Sequence, residues 1–137
     1  MAIGETDDSD ASIETFVADA AIVKGDPVYL SADDQVTPAA AAQSCIGIAL
    51  QSVADTEPVP VLIRGRVKVA AGGAITRGKA VYGADSSQRV LMLTDVSQAV
   101  DEGGSAKYTV AVPFNQKLGY ALESTSTAGD LLFIEVR

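Results

Sequence analysis

Short runs of apolar, mostly β-branched residues recur along the chain from Phe16 onward, each broken off by Gly, Pro, Asp or Ser: PVYL, CIGIAL, VPVLIRGRVKVA, KAVYG, RVLMLTDV, KYTVAV, LGYALES and LLFIEVR. Runs of this length and make-up read as strands. In RGRVKVA, Val67 and Val69 alternate with Arg66 and Lys68. Near the end, Leu132, Ile134 and Val136 alternate with Phe133, Glu135 and Arg137. A two-residue period sends successive side chains to opposite faces, which is the signature of a half-buried antiparallel sheet. No stretch keeps a helical period beyond about two turns; the best two, DVSQAVDE (95–102) and TPAAAAQS (37–44), amount to one helical turn or a loop. The pattern predicts an all-β chain.

The same pattern occurs twice. Ala21-Ile22-Val23-Lys24-Gly25-Asp26-Pro27-Val28-Tyr29 aligns with Ala74-Ile75-Thr76-Arg77-Gly78-Lys79-Ala80-Val81-Tyr82 at an offset of 74 − 21 = 53, with five of the nine positions identical. Further on, residues 46–52 (IGIALQS) align with 118–124 (LGYALES), an offset of 72, and residues 59–64 with 132–137, an offset of 73. The second copy thus holds about 72 − 53 = 19 extra residues between Tyr82 and Leu118, which are assigned to a loop around VDEGGSAKY. Gly25 and Gly78 each follow a basic residue and precede a strand, the place for a tight turn that needs positive φ. Gly47 and Gly119 fall inside strands, where a missing side chain marks a bulge or a close backbone crossing.

Before the first strong apolar run, MAIGETDDSDASIET carries only Ile3 and Ile13 as sizeable apolar side chains ahead of Phe16, the composition of an unpacked arm. The expected organisation is a flexible acidic N-terminal arm over residues 1–15 and a single β-barrel domain over 16–137. Repeat A spans about 16–71 and repeat B about 72–137, with the inserted loop at about 95–108. A chain of 137 residues and 14.0 kDa is large enough for one core without staples. The fold expected is a compact antiparallel β-barrel or sandwich built from two duplicated β-units.

Composition then narrows the function. The formal net charge of −8 repels phosphate, so nucleic acids and anionic membranes are not expected partners. There is no His, and the single Cys45 excludes an intrachain disulfide and a Cys-based zinc site. No cofactor and no metal site are expected. The N-terminus lacks the basic start and apolar run of a secretory signal, and no segment approaches the length of a membrane-spanning helix. Synthesis in the cytoplasm is the expectation.

Catalysis needs a nucleophile with a base, a metal cluster or paired carboxylates in a cleft. The only acid pairs outside the arm, Asp33-Asp34 and Asp101-Glu102, fall in predicted turns. Asp7, Asp8 and Asp10 lack the Gly and the distal Glu of a calcium loop, so they read as a solvated acidic tail. Cys45 opens a run of small apolar residues and reads as a buried small hydrophobe. Gly72-Gly73 and Gly103-Gly104 are turns, because no helix carrying Lys and Ser or Thr follows either. Lys24 and Arg77 are solvated turn residues; a duplicated β-unit invites comparison with lipoyl-type barrels, but the flanking residues of such an attachment lysine are not there. The chain is not expected to be an enzyme.

At the two Ala-Ile-x-x-Gly-x-x-Val-Tyr segments, at Ile-Gly-Ile-Ala-Leu and at Val-Pro-Val-Leu-Ile-Arg-Gly-Arg-Val, the sequence resembles a family of small tailed-phage proteins described as capsid decoration (cement) or head-fibre-associated proteins. The resemblance covers about residues 16–95 and, through the repeat, 118–137. It implies a β-rich virion protein, a homo-oligomer with a trimer expected, that binds major capsid protein on the outer capsid surface and strengthens the shell. It carries over no catalytic residues. A rigid barrel with an extendable arm suits that role, and the isolation of Ile3, Ile13 and Phe16 in a polar stretch makes them the candidate contacts to capsid protein or a sister subunit. The reading from another class is a non-catalytic β-clip or β-barrel module binding carbohydrate or peptide, which calls for a concave aromatic platform. With three Phe, four Tyr and no Trp that platform is thin. A non-enzymatic subunit of a cellular assembly is a third.

Overall fold

A computed structural model describes residues 3–4, 11–94 and 116–137, and among them the regular structure is β. The strands are β1 (Ser12–Ala18), β2 (Pro27–Ala32), β3 (Gln35–Pro38), β4 (Gly47–Ala49), β5 (Pro58–Ala70), β6 (Ala80–Gly83), β7 (Val90–Met92), β8 (Lys117–Ala121) and β9 (Leu131–Val136). They lie in the order β1-β3-β2-β4-β5-β9-β8-β6-β7, and β1 also pairs with β5. The first five therefore close into a ring, and the all-β barrel expected from the sequence is present.

The ring is mixed rather than wholly antiparallel. β1 runs antiparallel to β5, with Thr15 opposite Pro60 and Phe16 opposite Val59, but parallel to β3, with Ala18 opposite Val36. An odd number of strands cannot close with alternating directions throughout, so one parallel contact is obligatory. The second half repeats the arrangement. β5, β9, β8, β6 and β7 pair antiparallel in sequence, and the ends of this set meet at a parallel bridge between Ala71 and Val90. There Gly72 N–H donates to Val90 O at 2.7 Å.

The sequence repeat appears in the hydrogen bonds. Ile22 bridges to Val53 and Ile75 to Thr125. Lys24 N–H donates to Ser52 Oγ at 2.9 Å, and Arg77 N–H to Ser124 Oγ at 3.0 Å. Gly25 N–H donates to Ala49 O, and Gly78 N–H to Ala121 O. Both turn glycines have positive φ, 96° and 84°, where an L side chain is disfavoured. Gly47 and Gly119 mark close crossings: a Cβ on either would collide with a backbone carbonyl, that of Leu62 or of Glu135.

Two core clusters result. One is built from Ala18, Ile22, Val28, Val36, Ala49, Val59 and Val61. The other holds Val67, Val69, Ala71, Ile75, Val81, Val90, Leu118, Ala121, Leu132, Ile134 and Val136, together with Ile48 and Leu62 from the first half. The thirteen-residue β5 serves both. Its even face meets the second core at Leu62, whereas its odd face does so at Val67 and Val69. Gly65 lies between, with φ of 133°, and the register with β1 shifts just before it, Ser12 lying opposite Arg64 and Ile13 opposite Leu62.

Several expectations fall differently. Ser12 to Thr15, assigned by composition to the arm, form the first part of β1. Thr37 and Pro38 end β3, while residues 39–44 form a loop, one of the two forms expected there. The candidate turn at 95–102, the inserted loop at 95–108, the run KYTVAV, Asp101-Glu102, Gly103-Gly104 and the acids Asp7, Asp8 and Asp10 lie outside the described residues.

Candidate functional site

Two exposed regions carry chemistry that a partner can read. The first surrounds the residues singled out from the sequence. β1 alternates, so that Phe16 turns toward the first core and packs against it, while Ile13 and Val17 point away and are 49% and 40% exposed. Phe16 also lines a shallow depression of about 610 Å³ with Leu30, Ser31, Ala32, Asp33 and Asp34. Asp33 and Asp34 form the tip of the β2–β3 hairpin and are exposed, as turn acids usually are. Ile3 is half-buried, and its side chain fills the space that a Cβ on Gly25 would need. Beside it, Gly4 N–H donates to Lys68 O at 2.6 Å. The structure thus places Ile13 and Phe16 on one strand and Ile3 elsewhere, beside Gly25.

The second region was not picked out from the sequence as a site. On the outer face of β5, β9 and β8, Arg66 lies opposite Glu135, Lys68 opposite Phe133, and Tyr120 opposite Glu135. Side chains opposite one another in an antiparallel pair share a face. The Phe133 ring is flanked by the Arg66 guanidinium at 4.1 Å from its centre and the Lys68 ammonium at 4.4 Å. Tyr120 has Lys117 at 4.6 Å and Arg137 at 5.5 Å. Cation–ring contacts of this kind contribute about 0.5–1 kcal/mol at exposed sites, enough to hold long side chains in place. Arg64 joins the group, since it lines a small depression with Ile63 and Arg137.

Glu123 is fixed at the edge of this face. Its carboxylate accepts from Phe133 N–H at 2.8 Å and from Lys68 Nζ at 3.4 Å. The Phe133 N–H bond, with the nearby charges of Lys68 and Arg66, holds its carboxyl below the usual glutamate range against the opposing effect of desolvation. The Lys117 hydrogen bond and charge likewise lower the Tyr120 hydroxyl. The signal for this face is an interstrand register joining residues 66 and 135 and residues 68 and 133, which no local pattern shows.

Cys45 is half-buried and its thiol donates to Gly83 O at 3.6 Å. Burial pushes the thiol up to about 12, far from a reactive thiolate. Asp85 stands in the β6–β7 turn. Desolvation raises its carboxyl, but backbone bonds from Arg89 and Ser87 and the Arg89 guanidinium at 2.8 Å outweigh that and lower it. Among the described residues no group of three or more Cys, Asp or Glu side chains is placed to hold a metal ion. What the chain presents is shaped, charged surface on a rigid frame.

Two linked rings of short strands with contact surfaces define a β-barrel structural module. The sequence pattern of the phage cement protein family matches residues 8–137, and the chain belongs to that family, structural proteins of the phage virion that associate with its capsid. The resemblance read from the repeat motifs is thereby shown. The fold is similar to that in the crystal structure of the head fibre gp8.5 N base in bacteriophage phi29. The TM-score is 0.56 at 17% sequence identity, covering 93% of this chain and 94% of that one. No curated protein matches.

Proposed function

We propose that this protein decorates the outer surface of the capsid by binding major capsid protein and stabilises the shell without catalysing a reaction. It is made in the host cytoplasm and acts as a homo-oligomer, with a trimer expected. The observation that carries this reading is the apolar side of β1 and its neighbourhood, in a chain of the cement family. Ile13 and Val17 expose 49% and 40% of their surface on the outer side of β1, and Leu30, 49% exposed, lines the depression with Phe16. Apolar side chains grouped in this way favour burial against a partner. In this reading Ile13 and Phe16 contact the capsid or a sister subunit, and Ile3 pins the start of the arm against Gly25. The carbohydrate- or peptide-binding alternative needs several rings lining one groove; among the described residues Phe16 is the one ring at the depression.

The test is co-sedimentation of the purified protein with expanded empty capsids that lack it, followed by heating of the pelleted particles. Saturable binding with a raised rupture temperature is expected, because a ligand of the assembled shell stabilises that state. Ile13→Ser, a change at an exposed position, is expected to weaken binding without unfolding the protein. Absence of binding to every capsid tested overturns the proposal.

A further inference from the structure

The β2–β3 and β6–β7 hairpins are equivalents in the two copies and place their charges differently. Val28 pairs with Pro38 and Leu30 with Val36 in one; Val81 pairs with Met92 and Gly83 with Val90 in the other. Each turn has a non-glycine residue at φ of 58°, Asp34 or Gln88. In copy B the turn acid Asp85 meets a cation of its own hairpin, Arg89, at 2.8 Å. Ala32 and Gln35 take those two places in copy A, whose residues 27–38 contain no Lys or Arg. The acids stand instead at the exposed tip, as Asp33 and Asp34. That tip is held against β1, because Val17 N–H donates to Asp34 O at 2.9 Å. The two acids therefore border the depression that Phe16, Leu30 and Ala32 also line. Phe16 packs one side against the first core, and Leu30 is half exposed. Glu14, also exposed, shares the Phe16 side of β1, since the two residues stand opposite Val61 and Val59. The result is an apolar floor with an acidic border.

We propose that this depression is a docking site for Lys or Arg side chains of a protein surface and, resting on the reading of the chain as a capsid decoration protein, that the surface is the capsid shell. Floor and border together select this class of partner. A Lys or Arg side chain has an apolar stem to cover Leu30 and Phe16 and a cationic head to reach the carboxylates beyond them. The Phe16 ring adds its own attraction for the cation. A bare metal ion gains nothing from the apolar floor, and a wholly apolar partner strips water from Asp33 and Asp34 without replacing it. The net charge of −8 draws a basic surface in and opposes a second copy of this chain at the same place.

Two measurements test this on the full chain. In the first, isotope-labelled protein is titrated with a synthetic peptide alternating Arg and Ala and, separately, with one of equal length alternating Glu and Ala. Saturating amide shifts at Phe16, Leu30 and residues 31–34 are expected with the basic peptide alone, weakening several-fold as salt rises. No shifts there, or equal shifts with the acidic peptide, overturns the inference. The second is the capsid co-sedimentation assay with Asp33→Asn and Asp34→Asn combined, a change that removes both charges while Asn still accepts the positive φ at position 34. Asp55→Asn, in the turn before β5, is the control. The double variant is expected to lose about fivefold to tenfold in capsid affinity at low salt and less at high salt, with the control and both melting temperatures unchanged. If the native chain binds capsids and the double variant binds equally, the docking site is wrong and the decoration role stands. If the native chain binds no capsid, the decoration role falls and the peptide titration decides the site alone. Self-association of the native chain that the double variant loses gives the depression to a second copy and overturns the inference.

Discussion

The two copies of the repeat have nearly interchangeable interiors and opposite exteriors. Inside, Ala18, Ile22, Val28, Ala49, Val59 and Val61 of copy A correspond to Ala71, Ile75, Val81, Ala121, Leu132 and Ile134 of copy B, all of them buried. Outside, Ile13, Thr15, Ile48, Pro60 and Leu62 of copy A occupy the places of Arg66, Lys68, Tyr120, Phe133 and Glu135 in copy B. The difference is one of position. Ile48 and Leu62 lie against the second core, whereas Tyr120 and Glu135 face outward, so the first copy buries part of its outer face against its sister and the second keeps that part for solvent or a partner. Cys45 and Lys117 are a further such pair: a half-buried thiol in one copy stands where the other has an ammonium over a ring. Ring closure fixes what lies inside a small barrel, and the outside is free to diverge.

The comparison is broken most severely by removing the apolar side chains that join the halves. Leu62→Ala and Ile48→Ala are each expected to cost about 2–5 kcal/mol, the range for truncating a fully buried aliphatic residue. The equivalents Glu135→Ala and Tyr120→Ala should cost less than about 1 kcal/mol, as surface positions do. Chemical denaturation of the four variants measures this, and equal losses in both copies would contradict the assignment of different faces.

Next come the two strand glycines, where the copies should behave alike. Gly47→Ala and Gly119→Ala each press a methyl group against a backbone carbonyl, of Leu62 and Glu135, which cannot rotate aside as a side chain would. A loss of about 2–3 kcal/mol is expected at both sites, in the range of overpacked positions. A melting temperature unchanged by either substitution would mean that the strands do not cross there.

The smallest effect sharpens the contrast through pH. Glu123 has its folded-state pKa below the ordinary 4.5, set by the Phe133 N–H bond and then by Lys68. Its contribution to stability is therefore complete above pH 4.5 and is lost as pH falls through the lower folded value. Copy A has the neutral Gln51 at the equivalent position, so only copy B carries this dependence. Glu123→Gln should flatten the stability profile below about pH 4.5 and shift it only slightly at neutrality. A profile identical to that of the native chain would remove Glu123 from the account.

Much of this was legible in the sequence. The alternation of Val67 and Val69 with Arg66 and Lys68, and of Leu132, Ile134 and Val136 with their neighbours, matches the observed buried and outward faces. The repeat offsets located the turns at Gly25 and Gly78 and the crossings at Gly47 and Gly119. Two strands escaped. In β1, SIETFVA, only Ala18 is fully buried, so its composition resembles a tail, and in β3, QVTP, a single residue, Val36, is fully buried. Tertiary pairing with β5 and β2 creates these strands, and local pattern carries little trace of it. The basic face escaped for a related reason: each cation reads as the polar half of an alternating strand, and only the register of β5, β9 and β8 brings them together. The register shift at Ile63 is likewise absent from a pattern that reads as one uninterrupted strand.

That long shared strand governs how the molecule comes apart. Thirteen residues of β5 extend about 43 Å and supply hydrogen bonds and buried side chains to both halves. Freeing either half strips part of the same backbone from the other, so the two cores are expected to melt in a single cooperative step and to share any tension applied along the strand. A shell-bound molecule built this way resists peeling as one body, its strongest element running through the middle.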